Sequence, residues 1–101
     1  MDVINLQKDI TYQEGSIVSK EISKSDSGSM TIFAFDKGQG LSEHKTPFDA
    51  YAAIIDGTAE ITVGGKKHRL NKGEMLHMPP DVPHSVHAPG QFKMILVMVK
   101  K

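Results

Sequence analysis

Turn signals recur through this chain every eight to twelve residues, and that spacing limits what it can fold into. Gly64-Gly65 separates Ala59–Val63 from K-K-H-R-L, and both turn positions of a two-residue hairpin want positive φ. Asp56-Gly57 closes the apolar run Tyr51–Ile55, and Asn71-Lys72-Gly73 closes the strand after the hairpin. S-K-S-D-S-G-S at 23–29 is a loop of residues that tolerate bends. Between the turns lie short β-rich runs: Ile17–Ile22 alternates weakly, while Met30–Phe35, Met75–Met78 and Phe92–Val99 are almost wholly apolar. Val3–Leu6 reads as an edge strand or a tether. No helix start is followed by a 3.6-residue apolar period. Even strand spacing of this kind predicts an all-β sandwich or barrel.

At 101 residues the chain is expected to be one domain, with N-terminal strands and a loop at 1–29 and a barrel core at 30–101. Twelve basic and twelve acidic residues balance, so no basic field exists to attract nucleic acid. No apolar run reaches the ~18 residues of a membrane span, and the first ten residues carry no signal-peptide core. Without cysteine there is neither a disulfide framework nor thiolate chemistry. A cytoplasmic protein without membrane or nucleic-acid partners is the expectation.

Two glycine-bounded runs carry the chemistry, Gly38–Gly57 and Gly73–His84. They resemble the paired motifs of the cupin superfamily, G-x5-H-x-H-x3-E-x6-G and G-x5-P-x-G-x2-H-x3-N. Gly38, His44 and Gly57 fall in register with the first, and Gly73, Pro79 and His84 with the second. The resemblance implies a double-stranded β-helix, or jelly-roll barrel, with His44 and His84 facing one cavity. Metal-binding cupins typically use three histidines and a glutamate. Here Thr46 stands at the second histidine position and Ala50 at the glutamate, while Asp81 and Ala88 replace the later glycine and asparagine.

His44 and His84 are therefore the candidate ligands for a divalent transition metal, whether Zn, Ni, Fe or Mn, coordinated weakly because two donors are gone. The plainer alternative is a pair of pocket histidines bonded to backbone carbonyls or to each other. His77 either supplies a third ligand or caps a gap in the barrel wall, since both parities of its strand are apolar. Thr46, two residues on, shares a strand face with His44 and points inward, so that Thr46 and Ala50 line a pocket emptied of ligands. Asp49 falls on the opposite face and caps a turn after Pro47, Asp81 bonds local amides, and His68 and His87 face solvent. Met75, Met78, Met94 and Met98 read as core filler.

The resulting expectation is a small-molecule-binding cupin with a pocket anchored by His44 and His84. The alternative is a metal-dependent enzyme of dioxygenase, isomerase or decarboxylase type acting on a small organic substrate. Met94–Val99 is apolar at six consecutive positions although only one face can fill the barrel. A homodimer covering the other face is expected, with Ile17–Ile22 available to complete a neighbour's sheet.

Overall fold

The computed structural model describes residues 3–100. Among the described residues, alternation and turns resolve into nine strands: β1 Ile17–Ser25, β2 Gly28–Phe35, β3 Gly40–His44, β4 Asp49–Asp56, β5 Thr58–Val63, β6 Lys66–Asn71, β7 Met75–Met78, β8 His84–His87 and β9 Phe92–Val99. They form a five-stranded sheet in the order β1-β2-β9-β4-β7 and a four-stranded sheet in the order β3-β8-β5-β6. Every pairing is antiparallel. Two such sheets face to face make the expected jelly-roll barrel. Among the described residues no helix is long and apolar enough to cross a membrane.

Local chemistry accounts for the corners. Gly64 and Gly65 have φ of 56° and 82°, as a two-residue hairpin between β5 and β6 demands. The β1–β2 hairpin turns at Asp26-Ser27, with a bulge between Glu21 and Ser23. The expected boundary between residues 29 and 30 therefore cuts through β2, because residues 23–27 serve as strand end and tight turn. β1 pairs along its length with β2 of its own chain.

Strand parity decides which side chains fill the barrel. On β9 the inner set is Met94, Leu96 and Met98, and on β4 it is Ala50, Ala52 and Ile54. Phe35 and Phe92 are directly opposite on β2 and β9 and stack with ring centroids 4.5 Å apart and planes 10° from parallel. That stack belongs to the same buried core as Ile54, Ile61 and Leu70.

Outside the five-stranded sheet, Ile32 and Ala34 lie in a second apolar cluster with Ile10. Residues 3–16 form no strand; Leu6, Ile10 and Tyr12 instead lie across this outer face. The segment is tied down by polar contacts. Tyr12 donates its hydroxyl to Asp56 at 2.5 Å, Gln7 donates its amide to the Ile55 carbonyl, and buried Lys93 donates to the Gln7 carbonyl at 2.5 Å. Burial, together with Asp56, raises the Tyr12 hydroxyl above its usual range. The Lys93 ammonium also sits 5.0 Å from the centre of the Tyr12 ring, so a desolvated cation is satisfied from two sides.

Candidate functional site

β3 and β8 are neighbours in the four-stranded sheet, and His44 is the cross-strand partner of His84. Their rings meet edge to face with centroids 4.3 Å apart. His84 is only 7% exposed, whereas His44 is open to solvent, so the pair stands at the barrel mouth. The Nδ1 of His44 donates to the Ser42 carbonyl at 2.8 Å, and the Nδ1 of His84 to the Val82 carbonyl at 3.3 Å. A carbonyl oxygen only accepts, so in each neutral ring the proton sits on Nδ1 and Nε2 keeps its lone pair. Burial pushes His84 below the ordinary imidazole value, and proximity to His44 adds to this against the opposing pull of the Val82 carbonyl. His84 is accordingly neutral at pH 7.

Beneath the rings lies a cavity of about 20 Å³, roomy enough for one water. Met78, Met94 and Leu96 share its lining with the two histidines. Neither Thr46 nor Ala50, the expected pocket residues, is among the side chains that line it. Ala50 is buried opposite Met78, and the methionine occupies the interior beside that small side chain. Thr46 has left the strand, since β3 ends at His44, and its Oγ1 accepts the Phe48 amide at 2.9 Å in the turn around Pro47.

His77 does not join His44 and His84. In β7, Leu76 and Met78 face the core, so Met75 and His77 project from the outer side of the sheet. There His77 Nε2 donates to Asp49 at 2.7 Å, and the His77 ring stacks on Tyr51 with centroids 4.8 Å apart. Asp49 faces away from the cavity as alternation predicts, but it is 3% exposed and pairs with His77. Only the pairing of β4 with β7 makes this contact, and no local pattern announces it. His87 is exposed as expected, while His68 is half-buried on the same face of β6 as Leu70.

The donor set can be compared with the metal that the motifs imply. Among the described residues no three of His, Cys, Asp and Glu converge. His44 and His84 supply two neutral nitrogens and no charge, half of the ligand set that a protein-held divalent ion takes. These residues do not fit a divalent ion held in the cupin manner.

Antiparallel sheets closed into a barrel with paired imidazoles at one mouth define a small double-stranded β-helix protein. Residues 31–100 match the family model described as Cupin domain, and the chain belongs to the cupin family. A conserved protein of unknown function from Streptococcus pyogenes is 32% identical with a TM-score of 0.94, over 99% of this chain and 88% of that one. A cupin 2 conserved barrel domain protein from Leptotrichia buccalis is 41% identical with a TM-score of 0.93, and there the chain covers 47% of the longer protein. Mannose-1-phosphate guanylyltransferase of Salmonella montevideo is 33% identical over 64 residues, which are 62% of this chain but 14% of that enzyme.

Proposed function

We propose that this cupin binds a small hydroxyl-bearing molecule across its barrel mouth, using Nε2 of His44 and Nε2 of His84 as paired acceptors. The observation that carries the reading is the pair of Nδ1–carbonyl hydrogen bonds on two rings in edge-to-face contact, which leaves the Nε2 of each ring its lone pair. Two acceptors call for donors, and adjacent hydroxyls of a sugar or polyol supply them. An anion would need a protonated ring, which desolvation of His84 opposes. The ligand rests over the rings, because the cavity below admits no more than a water. The partial match to a mannose-1-phosphate guanylyltransferase makes mannose the first sugar to try.

Titration with mannose, glycerol and citrate, followed by histidine ring NMR signals, tests this. Mannose and glycerol are expected to move the His44 and His84 signals at pH 8, and citrate is not. His44→Ala should weaken binding about three- to tenfold, the usual net worth of one neutral hydrogen bond. Protonation turns an acceptor into a donor, so binding falls as pH drops through the lowered value of His84. Stability moves the same way. The unfolded chain takes up the His84 proton first, so the folded state loses ground below pH ~6.5 and keeps its full margin above it. Binding of citrate alone, or none by ~10 mM sugar, would refute the reading. The enzyme alternative uses the same lone pairs as a general base, and turnover of a bound sugar would favour it.

We also propose that the chain pairs through the outer face of its five-stranded sheet. The N-terminal segment covers the part around Ile32 and Ala34, which leaves Met30, Tyr51, Val97 and Val99 incompletely covered. The chain carries no net charge, and a flat apolar face suits an identical face across a two-fold axis. Light scattering at low micromolar concentration should give twice 11.1 kDa, and Val97→Lys should return the monomer mass. A wild-type mass of 11.1 kDa that does not rise with concentration would refute the dimer.

A further inference from the structure

The run S-K-S-D-S-G-S carries more polar groups than its turn requires, since the β1–β2 hairpin turns at Asp26-Ser27 alone. Register decides where the others point. Lys24 is the cross-strand partner of Ser29, and Ser29 is the partner of Met98. Directly opposed residues share a sheet face, and Met98 packs against the core, so Lys24 and Ser29 stand on the barrel side of the sheet.

A cavity of about 270 Å³ opens between this row, Asp26 and the ring of Phe48. The turn around Pro47 brings that ring in, with the Phe48 amide held by Thr46 Oγ1. No lining residue is shared with the cavity beneath the histidines. We propose that this second cavity binds a free α-amino acid with an apolar side chain.

Its walls offer each group that such a ligand needs. Lys24 supplies a cation and Asp26 an anion, and among the described residues neither enters a salt bridge. Two residues along a strand span ~6–7 Å, so a carboxylate and an ammonium fit between them, each facing its opposite charge. The Ser29 hydroxyl beside Lys24 can donate to the same carboxylate. Phe48 and Met98 form the apolar wall on which the ligand's side chain rests.

The two charges together select the ligand. A fatty acid would leave Asp26 without a partner and set its own carboxylate against it. An alkylamine would do the same at Lys24, and a peptide holds its termini too far apart. Only a free amino acid carries both charges on one carbon. The volume lies just under the ~300–1,000 Å³ of pockets for drug-sized ligands, which suits so small a molecule.

This site is independent of the sugar reading, because the histidines line the other cavity. The probe is L-leucine, with isocaproate as the same skeleton without the ammonium and isoamylamine as that without the carboxylate. Leucine should move the NMR signal of the Met98 Cε methyl and leave the His84 ring signals in place. Met75, 66% exposed on the other side of the sheet, serves as the unmoved methyl. Lys24→Gln and Asp26→Asn change exposed side chains, and each should weaken leucine binding about tenfold, the worth of one hydrogen bond to a charged group. Each analogue should bind weaker than leucine by about the same factor. An unmoved Met98 methyl at ~10 mM leucine, either analogue binding as tightly as leucine, or full affinity in either variant would overturn the proposal.

Discussion

Gly57→Ala is expected to destabilise the fold by about 2–5 kcal/mol, while Gly73→Ala, at another motif glycine, costs about 1–2. Both residues have positive φ, +72° at Gly57 and +90° at Gly73, so a side chain strains the backbone at either. They differ in what surrounds them. A Cβ at Gly57 would lie 2.2 Å from the Gln91 carbonyl oxygen and 3.0 Å from Phe92 Cβ, whereas at Gly73 nothing lies within 4 Å. The Gly57 contact is with backbone at the entry to β9, the strand between β2 and β4, and relieving it displaces that entry. Urea unfolding of the two variants measures the difference. Equal losses would show that backbone conformation alone governs both positions.

Phe92→Ala is expected to cost about 3–5 kcal/mol, a large share of the ~5–15 that holds a domain of this size together. Phe92 is fully buried and stacked on Phe35, and the neighbouring walls are strands that cannot collapse onto the vacated space. Phe48→Ala, at a half-buried ring outside the strands, removes the same atoms from a site that water can fill and should cost much less. The two midpoints in one urea series decide the point. A Phe92→Ala loss below about 1.5 kcal/mol would mean that the core around this ring repacks freely.

The fold was legible because its determinants are local. Gly64-Gly65 can join two alternating runs in few ways, and the glycines at 57 and 73 mark corners that other residues enter only under strain. The approach of His44 to His84 was legible too, from motif spacing, and the cross-strand pair bears it out geometrically. Methionines 78 and 94 were harder to assign, since a flexible apolar chain looks the same in sequence whether it fills a core or lines a cavity.

Sequence by itself determined most of the strands, several of the turns between them, and the two histidines brought to one mouth, because alternation, positive φ and fixed motif spacing act over a few residues. Tertiary structure alone decided the rest. In β7 both parities are apolar, so only pairing with β4 sent Met78 inward and His77 outward to Asp49. The turn at Pro47 took Thr46 out of the strand, and Met78 beside Ala50 left a cavity the size of one water. Packing of residues far apart in the chain sets such volumes and faces, and a single strand's pattern does not contain them.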